Sequence, residues 1–340
     1  MQLKSIRLSF MFKIPFPPQV PNQGKEESTP GSTQGIIYAL VPAMLMSVIF
    51  FGIDSCRILA IAVISCISLD MVFQKLLLKT APSVQNGSSA LTGILLACCL
   101  PIGVPYWLVL LGSLFSTGVA KLISTVIGYP IFNPALAGRV LLLLLFPVQM
   151  TTWKGNVLMA DTFTGATPLG LLGEGVKNGK SLLLLTGNYQ LPGYFDLFWG
   201  NVAGSLGEIS ALALLIGGGY LLWKKIITWH IPVAIFATVL LLQGFLWIIA
   251  PSRFADPLFH LLSGGMMLGA IFMATDPSAR PVKPSGQIVF GFGIAFITLM
   301  IRNFGPYPEG IAIAILVMNG FTPLINKRIK SIQLGKFSFH

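Results

Sequence analysis

The amino-acid sequence predicts an all-α polytopic membrane protein with about ten transmembrane helices, arranged as two inverted five-helix repeats. Three observations predict this fold class. Hydrophobic residues make up 54% of the chain and charged residues only 10%, a balance that is typical of membrane proteins rather than of soluble domains. Apolar runs of about 20 residues, the length that crosses a bilayer, recur along nearly the whole sequence. The two halves of the chain also share a pattern of Gly and Pro residues.

The apolar runs follow a polar, basic and Pro-rich arm at residues 1–35. The arm has no apolar stretch ahead of a small-residue cleavage site, so we expect a cytoplasmic arm and no signal peptide. The predicted spans lie at residues 36–53, 57–78, 88–104, 106–127, 131–149, 203–222, 229–250, 256–274, 285–302 and 307–325. The first repeat is expected within residues 36–149 and the second within residues 199–326. Residues 150–198 then form the long connection between them, and residues 327–340 form a basic tail.

The distribution of positive charge predicts the orientation in the membrane. Most of the 22 Lys and Arg residues fall in segments that share one side if the N-terminus is cytoplasmic. The positive-inside rule therefore predicts that both termini are cytoplasmic and that the loop at residues 150–198 is external. The net charge of +11 belongs to this asymmetry. It does not indicate nucleic-acid binding, because the basic residues form no cluster with aromatic residues in a soluble domain.

An internal repeat supports the division into two halves. At an offset of 176 residues, Gly and Pro positions coincide: Gly93 with Gly269, Pro101 with Pro277 and Pro130 with Pro306. Five helices per repeat is an odd number, so the two repeats must have opposite orientations, and such repeats form a site near the membrane midplane. The short, Gly- and Pro-interrupted segments 88–101 and 263–277 are the expected broken helices.

The connection between the repeats contains a small polar motif, Asp-Thr-Phe-Thr-Gly-Ala-Thr-Pro-Leu, at residues 161–169. Pro168 is typical of the first residue of a helix, with Thr167 as the N-cap. A phosphate on Thr167 would then lie at the positive end of that helix. The motif resembles the signature at which a separate transferase esterifies the last Thr with FMN, a reaction for which we expect an exposed Thr167 hydroxyl. The alternative is a simple helix cap after a Gly-Ala loop.

Further motifs extend a family resemblance over about residues 35–325. They are Phe-Asn-Pro-Ala-Leu-Ala-Gly-Arg (132–139), Leu-Phe-Pro-Val-Gln-Met-Thr-Thr-Trp (145–153), Gly-Asn-Val-Ala-Gly-Ser-Leu-Gly-Glu (200–208) and Gly-Gly-Met-Met-Leu-Gly-Ala-Ile-Phe-Met-Ala-Thr-Asp-Pro (264–277). Together they resemble the D subunit of the Rnf ion-translocating electron-transport complex. This subunit type is related to the B subunit of the sodium-translocating NADH:quinone oxidoreductase.

The resemblance implies a redox subunit rather than a complete enzyme. Rnf complexes pass electrons between ferredoxin and NAD and move Na⁺ or H⁺ across the cytoplasmic (inner) membrane of bacteria or archaea. On this resemblance, Thr167 carries FMN through a phosphoester, in a site that includes Asp161, Thr164, Gly165 and Ala166. The implied partners are the other Rnf subunits, a flavin transferase during maturation and membrane lipid, without nucleic acid. The identity of the ion, the direction of electron flow and the presence of a second, non-covalent flavin are left open.

Two other functions fit parts of the sequence. The first is the flavin subunit of a sodium-translocating NADH:quinone oxidoreductase, which a quinone-reductase assay on the purified complex would separate from an Rnf subunit. The second is a flavin-free transporter or channel, because inverted five-helix repeats are also a transporter architecture. A fluorescent protein band on a denaturing gel would exclude the second.

Ionisable residues within the predicted spans are the candidates for an ion pathway, because charge in a membrane interior is costly and usually functional. Asp70, Glu208 and Asp276 supply carboxylate oxygens, which together with carbonyls of broken helices can bind a hard cation. The alternative is a structural role, either in an internal ion pair with Arg139 or, for Asp276, as a cap at the membrane surface.

The four cysteines have no spacing that suits a metal site. Cys98 and Cys99 are adjacent and point to different faces of a helix, and neither Cys56 nor Cys66 completes a C-x-x-C pair. We expect all four to be small apolar side chains in or beside the helical core.

Overall fold

The computed structural model describes residues 30–78, 87–121, 132–153, 167–177, 191–305 and 307–337. Within these residues the regular elements are all helical, apart from one isolated antiparallel bridge between Pro101 and Ser205. The predicted helical fold class is therefore confirmed. Most of the N-terminal arm, the end of the basic tail and Asp161–Ala166 of the polar motif lie outside the described residues.

The first half of the chain contains six α-helices among the described residues: α1 (Pro30–Phe51), α2 (Ile53–Phe73), α3 (Ser88–Cys98), α4 (Tyr106–Leu114), α5 (Pro134–Leu145) and α6 (Pro147–Thr151). A wider, π-helical turn extends α2 over Gln74–Leu78, and another extends α4 over Phe115–Lys121. α2 packs against α3 and α4, so the helices of this half form one bundle.

The connection and the second half continue the numbering: α7 (Pro168–Lys177), α8 (Tyr194–Trp199), α9 (Ala211–Trp223), α10 (His230–Ile249), α11 (Pro257–Leu262), α12 (Met266–Leu268), α13 (Pro284–Phe304) and α14 (Ile311–Phe337). A π-helical turn at Gly269–Met273 extends α12. α10 packs against α13, and α13 packs against α14. Contacts of α1 with α9 and of α5 with α14 join the two halves.

Four helical segments of the described chain are long and apolar enough to cross a membrane: Ser32–Phe51, Ile53–Leu76, His230–Ile249 and Pro284–Phe304. Shorter apolar helices accompany them, including α3, α5 and α9. Large apolar side chains on the long helices point outward, and Ile64 and Ile248 are 64% and 76% exposed. Apolar side chains are stable on such a surface when lipid surrounds it. The chain is thus a helical membrane protein.

Three predicted spans differ from the structure. The helix predicted at residues 88–104 ends at Cys98, and irregular backbone continues to Pro105. The helix predicted at residues 203–222 begins only at Ala211. Before it, α8 ends at Trp199 and is followed by Gly200, whose φ of 113° is a conformation that would be strained for a residue with a side chain. The third is an interruption of the span predicted at residues 256–274, at Gly264 with a φ of 62°, which lies in the segment 263–277 that was expected to be a broken helix.

Several helices begin with a capping side chain followed by Pro. The carboxylate of Asp256 accepts a hydrogen bond from Phe259 N at 3.0 Å, and Pro257 is the first residue of α11. Asn133 caps α5 in the same way, accepting from Leu136 N at 3.2 Å. A cap satisfies an amide that would otherwise lack a partner, and Pro has no amide to satisfy. These pairs therefore fix where the helices start inside an apolar bundle.

The irregular segments of the two halves hydrogen bond to each other inside the bundle. Gly207 N donates to Cys98 O at 2.8 Å, and Leu206 N donates to Leu100 O at 3.2 Å. Irregular backbone is tolerated at membrane depth only when protein or water satisfies its polar groups. This pairing therefore holds the backbone that precedes α9 inside the bundle, and Glu208 is the next residue along it.

Candidate functional site

Thr167 caps the helix of the polar motif, as the sequence predicts. Its Oγ1 accepts a hydrogen bond from Gly170 N at 3.0 Å, and its carbonyl accepts from Leu171 N at 2.9 Å. Pro168 is the first residue of α7. Contrary to the expectation of an exposed hydroxyl, the Thr167 residue is only 3% exposed.

The burial of Thr167 follows from the packing of α7. Leu169 and Leu172, one turn apart on α7, are buried against a small apolar cluster formed with Leu197, Ala255 and Phe259. Because both leucines face the same side of the helix, they hold its first turn against the bundle. Asp161, Thr164, Gly165 and Ala166 of the predicted site lie outside the described residues.

A buried ion pair joins the two halves of the chain. Arg139 on α5 pairs with Glu309, which lies just before α14, at a distance of 2.5 Å between Nη2 and Oε2. Arg139 Nη1 also donates to the carbonyl of Cys99, at the C-terminal end of α3. Arg139 is 3% exposed. The internal ion pair that was the structural alternative for Arg139 therefore exists, but its acid is Glu309 and not one of the three predicted carboxylates.

Glu208 is buried close to this ion pair without forming one of its own within the described chain. The charges of Glu309, Arg139 and Arg302 all act on its carboxylate. Its Oε2 is buried and has no hydrogen-bond partner among the described residues. The Ser205 hydroxyl is close enough to act on the carboxylate as a hydrogen-bond donor, although the contact falls outside standard hydrogen-bond geometry. The carboxylate is thus incompletely satisfied in a buried setting.

The break between α11 and α12 lies against both Glu208 and α7. A Cβ atom on Gly265 would lie 2.5 Å from Glu208 Oε1, so the carboxylate rests directly on the Gly265 backbone. A Cβ atom on Gly264 would lie 2.7 Å from Leu169 Cδ1 and 3.1 Å from Arg302 Nη2. Gly is needed at both positions, since any side chain would displace these groups. The broken helix therefore connects the Thr167 helix to the buried carboxylate.

Arg302, near the end of α13, supports the same break. Its Nη1 donates to His260 O at 2.6 Å, and its Nη2 donates to Ser263 O at 3.1 Å. These two carbonyls belong to the last turn of α11 and to the residue after it, which helical hydrogen bonds leave unsatisfied. Arg302 Nε is buried and has no hydrogen-bond partner among the described residues. Arg302 thus adds positive charge beside α7 while it stabilises the interrupted backbone.

The structure does not bring Asp276 and Asp70 to this cluster. Asp276 Oδ2 accepts from Asn133 Nδ2 at 2.9 Å, and its Oδ1 accepts from the amide and the hydroxyl of Ser278 at 3.0 and 2.8 Å. Asp70 on α2 accepts from the hydroxyl of Ser89 on α3 and from Gln74 Nε2. Both carboxylates therefore have hydrogen-bond donors that a structural role would require.

Three of the four cysteines are buried in the main apolar core, as predicted: Cys66, Cys98 and Cys99. Cys56 is half-buried. The thiol of Cys99 lies 3.8 Å from the sulfur of Met273, in the π-helical turn after α12.

Glu309 and Arg302 were not predicted as site residues from the sequence. Glu309 lies in Gly-Pro-Tyr-Pro-Glu-Gly (305–310), which is typical of an ordinary Pro-rich turn. Its partner Arg139 is 170 residues away along the chain. The only sequence signal was Arg139 itself, because a cation inside an apolar span requires an anion from somewhere.

The fold and these residues define a polytopic helical membrane protein with a capped loop helix next to a buried charge cluster. A sequence model of the NQR2, RnfD, RnfE family matches residues 19–335, and the chain belongs to this family. This confirms the predicted resemblance to the D subunit of Rnf complexes.

Three relatives are similar over most of their length. The chain is 42% identical over 317 residues to the D subunit of the Na⁺-translocating ferredoxin:NAD⁺ oxidoreductase complex of Acetobacterium woodii, covering 93% of each chain. It is 38% identical over 311 residues to the D subunit of the proton-translocating ferredoxin:NAD⁺ oxidoreductase complex of Clostridium ljungdahlii, covering 91% of this chain and 93% of the relative. It is 35% identical over 323 residues to the D subunit of the ion-translocating oxidoreductase complex of Stutzerimonas stutzeri, covering 88% and 90%.

Proposed function

We propose that this chain is the flavin-bearing membrane subunit of an Rnf-type complex, which couples electron transfer between ferredoxin and NAD to the movement of Na⁺ or H⁺. The relatives named for this activity support the assignment to the complex. The observation that carries the role of this subunit is the position of Thr167, which caps α7 beside buried charge. The other subunits of the complex are the proposed partners, and a flavin transferase is the proposed partner during maturation.

The residues at Thr167 fit a phosphate ester. An ester oxygen at the Oγ1 position keeps the lone pair that accepts from Gly170 N. The attached phosphate would meet the N-terminal end of a ten-residue helix, where the helix dipole favours negative charge. FMN supplies one-electron transfer when it is bound. Because Thr167 is buried, we propose that the transferase acts before α7 packs against Ala255 and Phe259.

The chain's own residues hold this site in place. Leu169 and Leu172 anchor α7 to the bundle, and Leu169 contacts the break at Gly264. Arg302 contributes a fixed positive charge next to the same Gly. We propose that these contacts keep the attachment site close to the buried carboxylates, so that the charge state of a bound cofactor affects them electrostatically.

We further propose ten membrane spans in two inverted repeats, of residues 36–149 and 199–326. The contacts at equivalent positions support this arrangement. In the first half, Asn133 hydrogen bonds to Asp276 of the second half. The residue equivalent to Asn133 at an offset of 176 residues is Glu309, which pairs with Arg139 of the first half. Arg139 in turn binds the carbonyl of Cys99. Cys99 is one residue away from the equivalent of Asp276. An exchange of contacts of this kind is typical of a pseudo-two-fold axis.

The proposed topology in the inner membrane predicts a labelling pattern. Single cysteines placed near Lys177 should react with a membrane-impermeant maleimide in right-side-out vesicles, while cysteines near Lys224 or Lys327 should react only after permeabilisation. The background protein should carry Cys56→Ser, because Cys56 is the one cysteine of the described chain that is not fully buried. The reverse pattern would move the flavin loop to the cytoplasmic face.

We propose Glu208, Asp276 and Asp70 as residues of the ion pathway, and the structure distinguishes among them. Glu208→Gln should leave the complex assembled and flavinylated but lower the ion-stimulated rate of electron transfer, because it removes an incompletely satisfied carboxylate. Asp276→Asn should have a weaker effect, since donors already occupy both oxygens of Asp276. Turnover against ion concentration, flavin content and assembly are measured in one preparation. Unchanged ion dependence, or loss of the subunit, would contradict the role of Glu208.

The family also contains NQR2, so a subunit of a sodium-translocating NADH:quinone oxidoreductase is the second candidate. Purified complex that reduces quinone with NADH, and does not reduce NAD with ferredoxin, would favour that candidate. A denatured chain without flavin fluorescence would instead favour a transporter or channel.

A further inference from the structure

We propose that Glu208 and Glu309 form a paired-carboxylate site in which Arg139 is a fixed cation on Glu309, and Glu208 holds an exchangeable monovalent cation, a proton or Na⁺. The proposal rests on the proposed function only for its consequence, the coupling to electron transfer. The site itself follows from the geometry of the described residues.

The two carboxylates are neutralised unequally. Glu309 Oε2 forms an ion pair with Arg139, at a distance of 2.5 Å from Nη2. Glu208 makes no ion pair within the described part of the chain, although the charges of Arg139 and Glu309 act on it. The second guanidinium, Arg302, directs both terminal nitrogens to backbone carbonyls. One acid of the pair thus has a guanidinium in direct contact, whereas the charges of Arg139 and Arg302 act on Glu208 without forming an ion pair with it.

In the described part of the chain, both acids carry an oxygen without a hydrogen-bond partner. Glu208 Oε2 and Glu309 Oε1 are both buried without a hydrogen-bond partner among the described residues. Ser205, which is 0% exposed, adds a buried hydroxyl that acts on Glu208 and has no hydrogen bond of standard geometry within the described chain. Buried polar oxygens are normally hydrogen-bonded, so unpaired ones indicate a missing partner. A cation bound at Glu208 would be that partner, because an ionised carboxylate in a buried setting is unstable without a compensating charge.

The neighbouring backbone supports a small ion rather than a side chain. Glu208 Oε1 rests on the Gly265 backbone, where even a Cβ atom would collide with it. Cys98 packs against Gly207 on the other side. The groups that act on Glu208 are Glu309, Arg139, Arg302 and Ser205. This close packing favours a proton or a dehydrated monovalent ion over a larger ligand.

The position of the site gives a route by which electron transfer changes the affinity of Glu208 for a cation. Gly265 contacts Glu208, and the adjacent Gly264 contacts Leu169 of the Thr167 helix. Negative charge that arrives near Thr167 would therefore stabilise a cation at Glu208 through a short, buried path. Arg139 forms an ion pair with Glu309 and a hydrogen bond with the carbonyl of Cys99. Glu309 therefore does not bind a second cation, and the site holds one exchangeable cation, at Glu208.

Carbodiimide labelling of the purified complex tests the site without a turnover assay. Dicyclohexylcarbodiimide reacts with a protonated carboxyl, whose O–H adds across one C=N bond so that no group leaves. The modified residue is located by mass spectrometry of the tryptic peptide 181–224, which contains Glu208. We expect labelling at Glu208 that decreases as the pH rises. Asp276, which is half-buried and whose oxygens are hydrogen-bonded, is the control carboxyl and should remain unlabelled.

The two possible cations give different results. For Na⁺, labelling should slow by about tenfold when NaCl is present at about ten times its dissociation constant, as mass action requires, and KCl at the same concentration should not protect. For a proton, neither salt should protect. Either result supports the site. An absence of labelling at Glu208 at every pH, or equal labelling of Glu208 and Asp276, would overturn it.

Glu309→Gln provides a second readout. Without its carboxylate partner, Arg139 should turn to Glu208, the other acid whose charge acts on it, and displace the exchangeable cation. Labelling of Glu208 should then fall at least about tenfold, the change expected when a tethered charge replaces a bound one. Unchanged labelling would show that the two acids do not share one site. In the unsubstituted complex, flavin content and ion-dependent turnover separate the site from the proposed function. A flavinylated, ion-dependent complex without Glu208 labelling contradicts the site alone, and a labelled chain without flavin contradicts the proposed function alone.

Discussion

Substitution of Thr167 by Ala should abolish the covalent flavin. The variant should give no fluorescent band on a denaturing gel, and the tryptic peptide 155–177 should lose the mass of one FMN less water. The physical reason is that Ala has no hydroxyl to form the phosphoester. Ala also removes the cap on α7, which costs about 1 kcal/mol, an effect that is small beside the complete loss of a covalent bond.

Two control variants separate the cap from the attachment. Thr167→Asp keeps a capping oxygen for Gly170 N but has no hydroxyl, so it should lose the flavin while α7 stays folded. Thr167→Ser keeps both the cap and a hydroxyl and tests whether the transferase accepts Ser. Peptide 155–177 also contains Thr162 and Thr164. An adduct that survives in Thr167→Ala, or that fragmentation locates on either of these, would contradict the assignment.

The parts of the structure that follow local rules were predictable from the sequence. Thr167 followed by Pro168 predicts a capped helix start through the chemistry of two adjacent residues, and the structure has this cap. The interruption near Gly264 was predictable from the density of Gly and Pro around it. Helical spans were predictable because an apolar run of about 20 residues is the length that a bilayer requires and is rare in soluble domains.

The parts that depend on distant contacts were not predictable. Residues 203–210 consist mostly of small or apolar residues, which is typical of the start of a span, but their backbone bonds to the α3 end instead of continuing the helix. The burial of Thr167 depends on a cluster with Ala255 and Phe259, far along the chain. Partner choice in the charge cluster also depends on folding, because Arg139 could have paired with any acid that reached it.

The second large effect is expected for Arg139. Arg139→Met keeps an unbranched apolar stem but removes the guanidinium that binds Glu309 and the carbonyl of Cys99. Removing one partner of a buried ion pair strands the other charge and costs about 3–5 kcal/mol. We therefore expect a marked loss of folded subunit in membranes and a lower thermal transition of the purified complex.

The partner variants show whether the ion pair is the cause. Glu309→Gln should be milder than Arg139→Met, because Arg139 retains Glu208 as an alternative partner whereas Met leaves both acids without a guanidinium of their own. The double variant Arg139→Met with Glu309→Gln should be more stable than Arg139→Met alone, since it removes the stranded carboxylate. Thermal transitions and folded yields of the three variants measure this coupling. If the two substitutions are simply additive, the Arg139–Glu309 pair does not hold the two halves together, and the stability of the junction comes from the apolar packing of α5 against α14.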